Sequence, residues 1–226
     1  MTRPAPPAAV LCDMDGLLVD SEPTWFQAEV DMLAGYGFAL SAEHYPQVLG
    51  KPLEVSTEYL LNVTGHPVSA AEFSDGIERA MIARLADGVP MMPGAKELLV
   101  ALETAGIPLA LVSASSRRIV DACLPVIGPD HFRFTVSGDD VEHGKPNPDP
   151  YLKAAALLGV DPRECAVLED SPTGTAAGQA AGCRVVAVPH AAPVAPGERV
   201  TIVDSLRRVD LAFLRRLFED ELLDVR

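Results

Sequence analysis

The sequence predicts an α/β fold, a doubly wound parallel sheet with an α-helical cap domain inserted near its start. Three observations predict it. Beyond residue 90, short apolar β-rich runs alternate with helical segments, the pattern of strands covered on both faces. The run AAVLCDMD, residues 8–15, has the same strand character but stands far ahead of the others. Between it and PGAKELL lies a long stretch of helical patterns without a convincing strand, well beyond an ordinary connection.

In chain order, the first strand gives way at Asp13. SEPTWFQAEVDMLAGYG then sets Trp25, Phe26, Val30 and Leu33 at helical intervals and stops at Gly35 or Gly37. SAAEFSDGIERAMIARLADG starts at Ser69 as N-cap, has Glu72 three residues on as a capping box, and ends near Gly88. Residues 17–89 are therefore expected to form the cap, and residues 1–16 with 90–226 the Rossmann-like core. In the core, GAKELLVALETAG and DPYLKAAALLGV read as helices, and PLALVSAS, RFTVSG, CAVLED, CRVVAVP and RVTIVD as strands. Ser171 and Pro172 look like the N-cap and first residue of a further helix. Leu211, Leu214, Leu217 and Phe218 recur at helical spacing, which suits a helix docked on the core or, alternatively, a dimer face. A monomer or weak homodimer is expected.

The chain has 226 residues, 48% of them hydrophobic, enough for one large domain with a smaller insert. A net charge of −14 argues against nucleic acid or an anionic membrane as partner. No run of membrane-spanning length occurs, and MTRPAPPAA lacks the apolar centre of a signal peptide, so a cytoplasmic location is expected. Cys12, Cys123, Cys165 and Cys183 have no C-x-x-C spacing and read as buried, reduced thiols.

The chemistry is expected where strands end, because open α/β sheets bind ligands at the carboxyl ends of their strands. Asp13 and Asp15 sit at such an end, two residues apart and pointing the same general way. Glu169 and Asp170 end another strand. Buried carboxylates repel each other, and a divalent cation resolves the conflict; magnesium suits hard oxygen ligands. Ser113 ends a third strand, where its hydroxyl and the following N–H groups can hold a phosphate. Lys145 stands in the proline-rich turn HGKPNPDP, and Pro146 biases its backbone toward an extended form. Only Lys51, Lys96, Lys145 and Lys153 occur in the whole chain, so Lys145 is a rare positive charge for an anionic ligand.

DMDGLLVDSEP, Ser113 of LVSAS, Lys145 of GKPNPDPY and LEDSPTG resemble, in order, the four motifs of the haloacid dehalogenase superfamily, particularly its phosphatases and β-phosphoglucomutases. The resemblance covers nearly the whole chain. It implies Asp13 as nucleophile forming an aspartyl-phosphate, and Asp15 as general acid and then general base. It further implies that Lys145, Ser113 and the amide of Ala114 hold the phosphoryl oxygens. Magnesium would be bound by Asp13, the carbonyl of Asp15 and Asp170, with Glu169 as another ligand or a supporting acceptor. Members without the second aspartate are dehalogenases, so Asp15 favours phosphoryl transfer to and from a small-molecule phosphate ester.

Mutases of this superfamily typically carry a histidine ten residues after the acid/base and an arginine three residues beyond a cap glycine. Here those positions are Trp25 and, counting from Gly50, Leu53. Phosphonate hydrolases need a cap lysine; Lys51 is out of register. The pattern is most similar to small sugar- or polyol-phosphate phosphatases, in which Glu22 and Trp25 could touch substrate hydroxyls and Arg117 a distal anionic group. A non-catalytic sugar-phosphate-binding protein of this fold would be signalled by loss of Asp13 or Asp15, and both are present.

Overall fold

The protein is described by a computed structural model covering residues 6–48, 53–65 and 68–219. Six strands form one parallel sheet: β1 (Ala9–Cys12), β2 (Leu109–Val112), β3 (Phe134–Val136), β4 (Cys165–Glu169), β5 (Arg184–Ala187) and β6 (Val200–Ile202). Their order is β3-β2-β1-β4-β5-β6, so β1 lies mid-sheet between β2 and β4. Because side chains alternate along a strand, Val10 and Cys12 join the core on one face while Ala9 and Leu11 join the core on the other. A strand buried on both faces must read as an unbroken apolar run, which β1 does.

Helices cover both faces. α5 (Ala95–Thr104) and α6 (Arg117–Ile127) contribute Leu98, Leu99, Ile119 and Cys123 to the first core. α7 (Asp149–Leu158) and α8 (Pro172–Ala180) contribute Tyr151, Ala154 and Ala177 to the second. α9 (Leu211–Arg216) docks on the first core, where Leu214 and the following Leu217 are buried.

Between β1 and α5 the described elements are all helical: α1 (Glu22–Gly35), α2 (Tyr45–Val48), α3 (Leu53–Thr64) and α4 (Ala70–Leu85), with one short 3-10 turn. Leu33, Val48, Leu60, Phe73 and Ile77 form a separate apolar cluster there, and Trp25 packs against both this cluster and the first core. Ser69 Oγ accepts from the Glu72 N–H at 3.2 Å, so α4 starts at the expected cap. It ends at Leu85, three residues ahead of Gly88. Arg118 at the start of α6 bridges to Asp75 (2.6 Å) and Glu78 (3.6 Å) of α4. No described helix is long and apolar enough to cross a membrane. Lys51 and Gly50 lie outside the described residues. All four cysteines are free and buried, and burial pushes the thiols of Cys123, Cys165 and Cys183 up to about 12.

Candidate active site

The carboxyl ends of β1, β2 and β4 meet around Lys145. Asp13 follows β1, and its N–H donates to the Leu168 carbonyl of β4 at 3.0 Å, which fixes the backbone that aims its carboxylate. Lys145 reaches in from the loop ahead of α7, at a cis peptide bond with Pro146. Its ammonium donates to Asp13 Oδ1 (2.5 Å), Glu169 Oε1 (2.6 Å) and the Val112 carbonyl at the end of β2 (2.9 Å). Those three bonds use its three protons. Only 4% of the side chain is exposed. Burial alone would lower its pKa; the charges of Asp13 and Glu169 outweigh that and hold the ammonium protonated.

Glu169 is fully buried and fully occupied. Its Oε1 also accepts from the Tyr151 hydroxyl at 2.6 Å. Its Oε2 accepts from the N–H groups of Asp170 (3.1 Å) and Ser171 (3.2 Å) and from Ser171 Oγ (3.0 Å). Ser171 Oγ in turn accepts from the Gly174 N–H, capping α8. Gly174 is required here: a Cβ would run into the Glu169 carboxylate. The physical work of Glu169 is to anchor Lys145, through both charge and a shared helix cap.

Asp15 is held differently. Its Oδ1 accepts from Ser21 Oγ (2.7 Å), and its Oδ2 from Ser113 Oγ (3.2 Å) and Ser115 Oγ (2.8 Å). Ser113 Oγ also accepts from the Ser115 N–H at 3.0 Å, closing a small turn at the end of β2. The serine expected only as a phosphate ligand thus also orients Asp15. Ala114 is exposed beside it.

Asp13, Glu169 and Asp170 each offer an oxygen within 4.8 Å of the others. These oxygens suit a hard divalent cation. Among the described residues Asp13 Oδ2 is buried without a hydrogen-bond partner, and no such atom is left on Glu169. Asp13 and Asp170 are therefore the carboxylates with acceptor capacity to spare. Burial drives the Asp13 carboxyl well up, against the pull of Lys145, and raises Asp170 to about 8 with help from the Glu169 charge. A cation between them would remove both penalties. Gly16, at a φ of 77°, passes so close to Asp170 that a side chain would collide with its carboxylate.

The remaining expected residues spread out. Glu22 is half-buried in the first turn of α1, and Trp25 sits one turn on at the junction of two apolar clusters. Arg117 is half-buried at the start of α6. Its guanidinium is committed to Thr135 Oγ1 (2.7 Å), the Thr135 carbonyl (3.2 Å), Asp121 and Asp140, which corrects the expectation of a distal anion there. It pins α6 to β3 and the turn after it. His143 pairs with Asp149 on the surface. Sequence reasoning gave no role to Tyr151, Ser21 or Ser115. A tyrosine inside an otherwise apolar helix face, six residues after Lys145, was the signal available for the first.

The chain is 33% identical to hexitol phosphatase B of Escherichia coli K12 over 229 residues, covering 99% of this chain and all of that protein. It is 38% identical to hexitol phosphatase A of the same organism over 180 residues, 79% of this chain and 81% of that one. The structure of a single-residue mutant of CbbY from Rhodobacter sphaeroides, in complex with xylulose-1,5-bisphosphate, superposes with a TM-score of 0.80 at 27% identity, covering 92% of this chain and 99% of that one. Residues 10–188, which carry every acid, serine and lysine of the site, match the family described as haloacid dehalogenase-like hydrolase, and the chain belongs to it.

Proposed function

We propose that the protein is a magnesium-dependent phosphatase of small sugar or polyol phosphates that works through an aspartyl-phosphate on Asp13. The observation that carries this reading is the inequality of the buried carboxylates. Around Lys145, Glu169 is saturated with donors, Asp15 is held by three serines, and Asp13 keeps a buried oxygen without a partner among the described residues. The hexitol phosphatases among its relatives support the substrate class.

In this mechanism an Asp13 carboxylate oxygen attacks phosphorus while the bond to the alcohol oxygen breaks. Asp15, as the acid, gives its proton to the departing alkoxide. Asp15, now a carboxylate, takes a proton from water, whose oxygen attacks the same phosphorus and releases inorganic phosphate and free Asp13. Lys145 and the Ser113–Ala114 turn stabilise charge on the phosphoryl oxygens. Magnesium bound by Asp13 and Asp170 would supply charge neutralisation and alignment of the phosphoryl group. Glu169 keeps Lys145 in place. Residues 17–89 act as a cap over this site, supported by their own apolar cluster and the Arg118 bridges to α4.

The test is phosphate release from a panel of sugar and polyol phosphates, with magnesium and with EDTA. Glucose 6-phosphate formation from β-glucose 1-phosphate is followed in parallel, with glucose 1,6-bisphosphate present. Magnesium-dependent release that Asp13→Asn abolishes is expected. Isomerisation with little release would replace this reading with a mutase.

A further inference from the structure

Glu29 lies in the middle of α1, and the site described above makes no use of it. It is 4% exposed, and its Oε2 is buried with no hydrogen-bond partner among the described residues. Burying a carboxyl without a partner is costly in either protonation state. A residue that only filled space would be better served by leucine or methionine. Buried polar groups left open in the free protein are expected where the partner arrives with the ligand.

Its position says which ligand. Glu22 and Glu29 are seven residues apart, so they stand on one stripe of α1, about 10 Å apart along the axis. Trp25 lies on the same face and packs against both the core cluster and the helical segment's own cluster, so the stripe follows the junction between them. The stripe also starts at the catalytic centre, because Ser21, immediately ahead of it, donates to Asp15 at 2.7 Å. It runs from the acid that would serve the departing alcohol along the junction between the core and the helical segment. Glu29 feels the charge of Glu22, which places the two carboxyls within electrostatic reach of each other.

We infer that Glu29 is a specificity residue whose carboxyl hydrogen-bonds a hydroxyl group of the leaving alcohol, at the end remote from the phosphate. The inference rests on the phosphatase reading and narrows its substrate class to esters with a free hydroxyl several carbons from phosphorus. Burial, followed by the Glu22 charge, raises the Glu29 carboxyl to about 8, so at neutral pH it is protonated. A protonated carboxyl both donates and accepts, which matches a hydroxyl on both counts.

The experiment compares kcat/KM for sorbitol 6-phosphate and for p-nitrophenyl phosphate in the wild type, Glu29→Gln and Glu29→Leu, with thermal midpoints for all three. The wild type is expected to prefer the polyol ester. The ratio of the two constants is expected to fall at least about tenfold in Glu29→Leu, mainly through KM for the polyol ester, and less in Glu29→Gln, whose amide still donates and accepts. The thermal midpoint of Glu29→Leu is expected to rise. A wild-type preference that survives in both variants overturns the assignment of Glu29, leaves the phosphatase reading standing and gives Glu29 a packing role only. A wild type without that preference overturns the inference and leaves the phosphatase reading standing, whereas no release from either ester overturns the reading and the inference together.

Discussion

The two parts of the molecule that flank the proposed reaction centre are built on opposite rules. At the carboxyl end of the sheet, charged groups are packed densely and Asp13 Oδ2 stays open among filled neighbours: Lys145 spends all three protons, and Glu169 accepts five hydrogen bonds. In the helical segment between β1 and α5, the interior is mostly apolar and its buried glutamate, Glu29, has an oxygen without a partner among the described residues. The sheet end fixes a geometry that does not depend on the leaving group. The helical segment leaves an unpaired group that a ligand can satisfy. On this account, invariant chemistry and variable selectivity are separated in space.

The comparison is broken most severely at Lys145. Lys145→Met keeps the stem and removes the charge, leaving Asp13 and Glu169 buried without their shared cation. A loss of stability of about 3–5 kcal/mol in denaturant unfolding is expected, together with a fall in kcat of at least about a hundredfold. A variant as stable as the wild type would mean that the buried network is not held by this ion pair.

A middle-sized effect concerns the cation. On this account magnesium binds the folded state and not the unfolded chain, so the thermal midpoint should rise with its concentration and fall back with EDTA, by about 5–11 °C at a hundredfold excess over the dissociation constant. In Asp170→Asn the magnesium response should vanish, whereas Asp31→Asn, on an exposed surface pair, should keep it. Equal responses in the two variants would place the cation elsewhere.

The smallest effect sharpens the other side of the comparison. The Glu29 carboxyl titrates near 8 when folded, against an ordinary value near 4.5 when unfolded. Between those values the folded state holds the extra proton, so stability is highest below about 4.5 and falls as pH rises through the window. Glu29→Gln has no such proton. Its stability relative to the wild type should grow from pH 5 to pH 8, by on the order of a few kcal/mol at most. A constant difference across that range would show that Glu29 is not held in this buried environment.

The strand ends were legible because acids interrupting an apolar run are hard to explain in any other way; Asp13, Glu169 and Asp170 do converge. Which oxygens are filled was not legible. The resemblance offered Glu169 as a cation ligand or a supporting acceptor, and only three dimensions show the donors that meet it, Tyr151, Ser171 and Lys145. Arg117 looked free because Thr135 and Asp140 are distant in sequence. On α1 the hydrophobic pattern favoured Val30, whereas a helix packed against α4 leaves Val30 half-buried and buries its polar neighbour Glu29. Apolar periodicity cannot report a position where burial and polarity coincide, and such positions are where ligands are met.

The central claim is that Asp13 becomes covalently phosphorylated, and trapping the adduct tests it most directly. Asp15→Asn mixed with p-nitrophenyl phosphate keeps a leaving group that needs little protonation but lacks the base for hydrolysis, so the adduct should accumulate. After acid quench and peptide mass mapping, the account predicts one added phosphoryl group on the peptide carrying Asp13, absent in the Asp13→Asn, Asp15→Asn double variant. Release of p-nitrophenol matched by free phosphate, with no adduct at any time point, would contradict it and make water the direct nucleophile.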